Sequence, residues 1–461
     1  MASRGLDVAV VGGGIAGLTA ARALHERGLR LVVLEAAPRW GGVIRTERER
    51  GFLLEGGPDT MLAAKPDGVE LCRSLGLEDR IVPTDPRRSA VFVLRRGRLH
   101  RMPEGMVLGV PTRIGPLLRS GLFGWRAKLR MAVEPWLPVP APGADQSIAA
   151  FLAARLGREA VQVVGEPLLA GIHAGDAGRL SMRATFPRLF EAGARGQSLA
   201  RAMRGARRAQ GDGAAAGFVS LRGGLGEMVD ALLAGLPPSA MMRGTPARRL
   251  RRETSGFAVD TAAGAVEARA LVVALPPPRA AALLQDLSAG AARVLAGIPF
   301  ASTATVLLGY RREDVAHPLD GYGLLVPRGE GLRTTALTFS STKLPGRAPA
   351  GHVLVRGFLG GVHDPAVLDA DDAALAATVE REAGTVLGIR GEPVVTRVFR
   401  WPEATPQMEV GHLDRVAEID RHLATVPGLF LTGAGLRATG IPDVIADARA
   451  AANAAALLHR R

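Results

Sequence analysis

The order of apolar and polar positions changes period twice within the first part of the chain. Leu6–Val11 is an apolar run of strand length, as a strand buried on both faces requires. From Ile15 the spacing becomes helical: Ile15, Leu18, Ala21 and Leu24 share one face, while Arg22, His25 and Glu26 lie off it. Residues 30–34 form a second apolar strand, ended by Glu35. Gly12, Gly14 and Gly17 fill the turn before the helix as GxGxxG. This order predicts a dinucleotide site. Gly12 permits the sharp turn, Gly14 lets backbone approach a pyrophosphate, and Gly17 lets the helix pack closely on the strand. The helix N-terminus offers free N–H groups, and an acid about 20 residues on accepts from a ribose hydroxyl. The contacts expected here are Gly12, Gly13, Gly14, Ile15, Ala16, Gly17, Glu35 and Ala36.

The pattern continues as α/β. A strand over 51–55 leads into Gly56 and Gly57, and helical spacing covers 148–156 and 160–169. Gly223 and Gly224 precede a helix over 226–233. Stretches 243–250, 256–261 and 265–268 alternate like a small antiparallel sheet, and 271–274 reads as a buried strand. Strands are expected over 300–310, 323–326, 334–339, 353–360 and 393–399. A last strand over 429–432 precedes an alanine-rich helix ending near Leu458. The expected division is 1–84, 211–285 and 406–461 for a Rossmann-type nucleotide domain in three segments. A mainly helical domain spans 85–210, and a mixed-sheet substrate domain spans 286–405.

Composition narrows the class. The single cysteine, Cys72, excludes an internal disulfide and a cysteine metal cluster, and no metal site is expected. No apolar run reaches the length of a membrane span, and a cytoplasmic protein is expected. The formal charge of +14 is mainly arginine, since Lys65, Lys128 and Lys343 are the only lysines. Such a surplus suits a solvated surface, an acidic substrate or an anionic membrane face. Nucleic acid is not expected, because aromatics are sparse and no nucleic-acid motif occurs. Leu117, Leu118, Leu122, Phe123 and Trp125 lie among Arg113, Arg119, Arg126, Lys128 and Arg130. That mixture fits a helix at a membrane surface, or one packed on its own domain.

After Glu35 come Arg39, Gly41, Gly42 and Thr46, in the spacing E-x-x-x-R-x-G-G-x-x-x-T. This resembles the flavoprotein superfamily of amine oxidases, phytoene desaturases and protoporphyrinogen oxidases. The resemblance implies FAD, held non-covalently. It adds as cofactor contacts Arg39, Gly41, Gly42, the loop Gly57, Pro58, Asp59 and Thr60, then Ala247, Trp401 in an R-W-x-x-x-x-P motif, Gly435, and Ile441, Pro442 and Asp443 at the last helix. MPEG at 102–105, GVPT at 109–112 and EPLLAGIHAGD at 166–176 look like the porphyrinogen oxidases of haem synthesis. They most resemble the oxygen-dependent coproporphyrinogen III oxidases of Gram-positive type.

That family removes hydride from a porphyrinogen meso carbon and a proton from a pyrrole nitrogen, and O2 reoxidises the flavin. The resemblance therefore implies a porphyrinogen substrate, O2 and a downstream chelatase, with peripheral contact at the inner membrane face left open. No side chain is expected to act as a catalytic group, because the flavin carries the chemistry. Lys65, Arg88 and Arg96 are the candidates for holding propionates. The arginine that plant and myxobacterial relatives place before F-V-L falls on Val91. Protoporphyrinogen IX is the alternative substrate. An amine or carotenoid oxidoreductase and a non-catalytic flavoprotein are the alternative classes. The two tyrosines, Tyr310 and Tyr322, are a poor basis for an amine oxidase's aromatic cage.

Overall fold

The fold is that of a computed structural model, which describes residues 5–107, 109–137, 144–210 and 217–459. The strands used below are β1 (Leu6–Val11), β2 (Leu31–Glu35), β3 (Thr46–Glu49), β4 (Phe52–Glu55), β5 (Ala90–Arg95), β6 (Arg98–Arg101), β7 (Met241–Arg243), β8 (Arg249–Glu253), β9 (Gly256–Thr261), β10 (Gly264–Val273), β11 (Phe300–Arg311), β12 (Gly321–Leu325), β13 (Ala336–Phe339), β14 (His352–Gly360), β15 (Val395–Pro406) and β16 (Leu429–Leu431). The helices are α1 (Ile15–His25), α2 (Trp125–Val133), α3 (Ile148–Leu156), α4 (Glu166–His173), α5 (Gly226–Ala234), α6 (Asp372–Leu387) and α7 (Ile441–Leu458).

The first sheet runs β7-β2-β1-β10-β9-β8, with β16 also on β10. β7, β2, β1, β10 and β16 are parallel neighbours, and β8 and β9 extend β10 antiparallel. Its central strands β1, β2 and the second half of β10 are apolar runs because both faces are covered there. Val8 and Val10 enter a core with Leu18, Leu24, Ile445 and Ala452 of α1 and α7. Ala9 and Val11 enter the opposite core with Leu284 and Leu295. Residues 243–250 differ from the expected alternation. Met241–Arg243 closes the parallel edge on β2, and pairing with β9 begins only at Arg249.

The second sheet runs β15-β11-β14-β13-β12-β5-β6, antiparallel except for β12 beside β5. Residues 90–101 therefore belong to the substrate sheet, which corrects the expected start of the helical domain at 85. One strand limit also moves: β15 continues through Arg400 and Trp401 to Pro406. In the helical part, a π-helical turn at Val161–Gly165 joins a short helix to α4.

Alternation gives this sheet two unlike faces. Ala304, Val306, Leu308, Leu337 and Val355 pack on Leu375, Val379 and Ala383 of α6. Register puts Thr303, Thr305 and Leu307 on the other face, with Arg356 and Phe358 of β14, Ala336 and Thr338 of β13, Leu325 of β12, Val91 and Val93 of β5, and Phe399 and Trp401 of β15. Phe52 and Leu54 of β4 cover one end of that face through Leu307 and Phe399. The helical layer covers the other end through Val93. Between the two covers, Thr303, Thr338, Phe358 and Trp401 stay partly exposed although they lie in the body of the sheet. An internal cleft at this place accounts for that exposure.

Candidate active site

The cleft meets the nucleotide domain at its glycine turns. Gly12 adopts φ +110° and Gly41 φ +100°. A Cβ on Gly17 would run into the Gly12 carbonyl, as expected of the residue that seats α1 on β1. Gly14 and Gly42 face each other, with the Gly42 Cα 3.8 Å from where a Gly14 Cβ would stand. The mouth of the turn is thus lined by backbone. α1 starts at Gly14 without a side-chain cap, so its first-turn N–H groups have no side-chain acceptor. Glu35 accepts from the N–H of Gly13 at 2.7 Å and from Ala37 at 2.6 Å. Each carboxylate oxygen keeps a lone pair for a ribose hydroxyl. These groups fit the pyrophosphate and ribose of a dinucleotide.

Arg39 pins the following turn by donating to the carbonyls of Gly42, Trp40 and Ile44. Its guanidinium also lies 6.0 Å from the Trp401 ring centre. Thr46 and Glu55 join this part to the second glycine pair. Thr46 Oγ1 donates to Glu55 at 2.7 Å, and the N–H groups of Leu225 and Gly226 donate to Glu55 and Thr46. Burial pushes the Glu55 carboxyl up to about 7, against the hydrogen bonds from Thr46 and Leu225 that favour its charged form.

Gly56–Thr60 is the loop between the two domains. Trp401 Nε1 donates to the Gly56 carbonyl at 2.9 Å, and Arg356 donates to the Gly57 carbonyl. Lys343 Nζ lies 2.9 Å and 3.0 Å from the two oxygens of Asp59. Burial alone would raise the Asp59 carboxyl, but Lys343 and Arg356 outweigh it and hold it at about 2. Sequence reasoning missed Lys343, Arg356 and Glu55 as parts of this site. One signal was available: Arg356 interrupts the apolar run of β14.

The remaining expected contacts are spread over neighbouring elements. Ala36 follows Glu35 at the end of β2. Ala247 lies in the turn before β8, partly buried against the second core. Gly435, at φ +94°, lies against Phe300 and Pro406 of the substrate sheet. Ile441, Pro442 and Asp443 form the first turn of α7 after the uncapped Gly440.

The three propionate candidates do not form one cluster. Lys65 pairs with Asp443, one of the expected cofactor contacts. Arg88 and Arg96 stand beyond opposite ends of β5, a strand of about 20 Å. Arg96 lies in an outer groove with Arg95, Arg98 and His100. The amphipathic stretch divides too: Leu117, Leu122 and Phe123 are buried, while Leu118 and Trp125 face outward with Leu129 and Trp136.

Residues 15–456 match the model of the flavin-containing amine oxidoreductases. The chain belongs to that family. Its cofactor is a flavin, and the protein is an oxidoreductase. The amine oxidoreductase fold also appears in cyclohexylamine oxidase from Brevibacterium oxydans IH-35A, with TM-score 0.71 at 18% identity over 99% of this chain and all of that one. The coproporphyrinogen III oxidase of Bacillus subtilis (strain 168) is 35% identical over 96% of both chains. The chloroplastic protoporphyrinogen oxidase of Nicotiana tabacum is 30% identical over 93% of this chain and 81% of its own. A solved structure from Exiguobacterium sp. 255-15, assigned provisionally as a protoporphyrinogen oxidase, gives TM-score 0.89 at 29% identity over 99% of this chain and 100% of that one.

Within this flavin family the two tyrosines do not form an aromatic cage. Tyr310 is buried on the α6 side, and the Tyr322 hydroxyl is 2.8 Å from Thr84 Oγ1. Phe358, Phe399 and Trp401 are aromatics on the cleft face, and Phe399 is buried there beneath β4.

Proposed function

We propose that this protein oxidises coproporphyrinogen III to coproporphyrin III, with non-covalent FAD as the electron carrier and O2 as the final acceptor. The observation that carries this reading is the cleft face of the substrate sheet. Phe358 and Trp401, with Thr338 and Thr303, line a floor of aromatic rings and threonines that ends at the Gly56–Thr60 loop. A floor of this kind suits a large macrocycle better than a small amine. The likeness to the Bacillus subtilis coproporphyrinogen III oxidase over nearly all of both chains supports the same substrate class.

In this reading Gly12–Gly17 receive the pyrophosphate and Glu35 the ribose. Arg39, Gly41 and Gly42 carry the cofactor's middle, Ala247 its adenine, and Gly57–Thr60, Trp401, Gly435 and Ile441–Asp443 surround the ring. Bound FAD supplies the hydride acceptor. The chain's own work is to place a meso carbon and exclude water. Arg356 and Trp401 hold the Gly56–Gly57 carbonyls fixed, so the loop under the reacting centre does not shift between rounds. Lys65 and Arg88 meet propionates at the rim. A macrocycle with four carboxylates matches the charge surplus of the chain better than one with two.

Among the described residues no helix is long and apolar enough to cross a membrane. A cytoplasmic enzyme that rests on the inner membrane face through Trp125, Leu129 and Trp136 fits the basic residues around them. A chelatase would take the porphyrin product. The test is a comparison of initial rates on coproporphyrinogen III and protoporphyrinogen IX, read by the fluorescence of each porphyrin. A higher kcat/KM for coproporphyrinogen III supports the assignment; a preference for protoporphyrinogen IX moves the enzyme to that substrate.

A further inference from the structure

We infer that Lys343 and Arg356 seat, at the covered end of the cleft, a propionate that coproporphyrinogen III carries and protoporphyrinogen IX lacks. The inference rests on the porphyrinogen reading and gives a role to two side chains that the sequence left without one. Arg356 lies on the cleft face of β14, directly across from Thr338 of β13 and Leu307 of β11. Its guanidinium carbon is 4.7 Å from the ring centre of Phe358, one of the partly exposed floor residues. Leu307 is where β4 covers the face. Lys343 ends a short helix, Ser340–Lys343, that follows β13. Lys343 Nζ and Arg356 Nη1 approach the same Asp59 oxygen, at 3.0 Å and 3.9 Å. The two cations therefore meet where the floor ends at the Gly56–Thr60 loop.

The cluster holds more positive charge than negative. Arg347 is buried behind it and donates to Ser220 Oγ at 2.9 Å, and Ser220 donates to the Asp59 carbonyl at 2.7 Å. Among the described residues, Lys343, Arg356 and Arg347 face the carboxyls of Asp59 and Glu55, so a positive charge is left over even with Glu55 ionised. Glu227, a further carboxylate near Arg347, is taken by Arg80. The Arg356 guanidinium is also short of partners. Its side chain is 6% exposed, and one terminal nitrogen donates to the Gly56 and Gly57 carbonyls. The other has Asp59 at 3.9 Å, too far for a hydrogen bond, and Nε has no partner among the described residues. A buried cation in this state is costly, and an anion brought to it offsets the cost. Lys343 and Asp59 each keep 14% of their side-chain surface, so the cluster is not sealed. Asp59 holds the two cations side by side without cancelling them.

The shape of the substrate supplies the anion. Coproporphyrinogen III has one propionate on each of its four pyrroles. A macrocycle laid on the floor therefore sends a carboxylate towards the covered end in any orientation. Protoporphyrinogen IX has propionates on two adjacent pyrroles and vinyls on the other two, so it can turn a vinyl edge inward. That edge leaves the surplus charge unpaired, whereas a carboxylate accepts charge-assisted hydrogen bonds from Lys343 and Arg356. Selection then comes from the penalty on the wrong substrate as well as from the contact with the right one.

The test uses the FAD-loaded protein and compares kcat/KM for the two porphyrinogens, with the Kd of each porphyrin read by fluorescence quenching. Lys343→Met and Arg356→Met should each lower the ratio of kcat/KM, coproporphyrinogen III over protoporphyrinogen IX, by at least about tenfold. Coproporphyrin III binding should weaken by the same factor, with protoporphyrin IX within about threefold of wild type. Lys343→Arg keeps the charge and should keep the ratio. A residue that only holds the loop lowers both substrates alike, so an unchanged ratio in either Met variant overturns the inference. A Lys343→Arg ratio as low as that of Lys343→Met overturns it too. Should the Met variants not fold, the wild type decides, because buried charges are little screened. Its preference for binding coproporphyrin III must persist in about 1 M salt, and loss of that preference assigns it to the exposed rim and overturns the inference. Wild-type protein that oxidises no coproporphyrinogen III fails the functional reading and the inference with it, a result seen before any variant is made.

Discussion

The indole N–H of Trp401 donates to the carbonyl of Gly56 at 2.9 Å, across 345 residues of sequence. The bond ties the substrate sheet to the loop that leaves the nucleotide domain. Trp401 also stacks on Phe399, with ring centres 6.4 Å apart and planes at 10°. Trp401→Phe keeps a ring and removes only the donor. A hydrogen bond of this kind contributes about 1 kcal/mol, and the orphaned carbonyl can add to the loss. The variant should melt lower by several degrees and hold FAD less tightly, as measured by thermal unfolding and by flavin released on dilution. Unchanged melting and retention would show that the bond does not couple the two domains.

Glu35 holds two backbone N–H groups, on Gly13 and Ala37, at the nucleotide turn. Glu35→Ala removes both acceptors together with the proposed ribose contact. Charged hydrogen bonds contribute about 1.5–3 kcal/mol, so FAD affinity should fall roughly tenfold to a hundredfold or more. Titration of the apoprotein with FAD checks this, and the same Kd as wild type would remove Glu35 from the cofactor site.

Glu55 makes stability depend on pH. Its folded carboxyl sits at about 7, raised from 4.5 mainly by burial. A raised carboxyl pKa means that the unfolded chain ionises first. The charge is then a penalty on the fold that grows as pH rises from the unfolded value to the folded one and is constant above it. Wild-type protein should therefore lose stability between about pH 4.5 and about pH 7 by at most about 3 kcal/mol from this group. Glu55→Gln should flatten that interval in denaturant titrations. Equal slopes for the two proteins would contradict the assignment.

The exposed apolar side chains of the helical layer make a further prediction. Trp125 is 69% exposed, Leu129 52% and Trp136 72%. Trp125 and Leu129 are one helical turn apart, while Ala127 and Met131 on α2 point into the core. Wild-type protein should co-sediment with phosphatidylglycerol vesicles at low salt, and W125A/W136A should not. No co-sedimentation of the wild type would leave these residues as ordinary surface.

Much of the fold was legible because its signals are local. The run from Leu6 to Glu35 carries its strand, turn and helix within one βαβ unit, and the structure has all three where the periodicity puts them. The strands of the second sheet were legible for the same reason, though β15 runs seven residues past Phe399 because pairing with β11 continues through a register shift near Ser302. What could not be read is set by contacts between distant segments. Whether Leu117 or Leu118 points inward depends on how the helical layer packs. The partners of Asp59, Lys343 on a short helix and Arg356 on β14, come from segments more than 280 residues away. Lys65 looked free to bind a propionate because its partner, Asp443, stands at the other end of the chain.

That pairing bears on substrate charge. Lys65→Ala should raise the KM for coproporphyrinogen III more than that for protoporphyrinogen IX, and added salt should narrow the gap by screening. Equal effects on both substrates would assign Lys65 to holding Asp443 at the start of α7 instead.

The central claim is tested most directly by stoichiometry. The purified, FAD-loaded protein is given coproporphyrinogen III in air, and porphyrin fluorescence and H2O2 are followed together. The account predicts coproporphyrin formation with about three H2O2 released per macrocycle, since each round removes one hydride and one proton and the flavin returns its electrons to O2. Coproporphyrin formation no faster than the uncatalysed background, or turnover without H2O2, would contradict it.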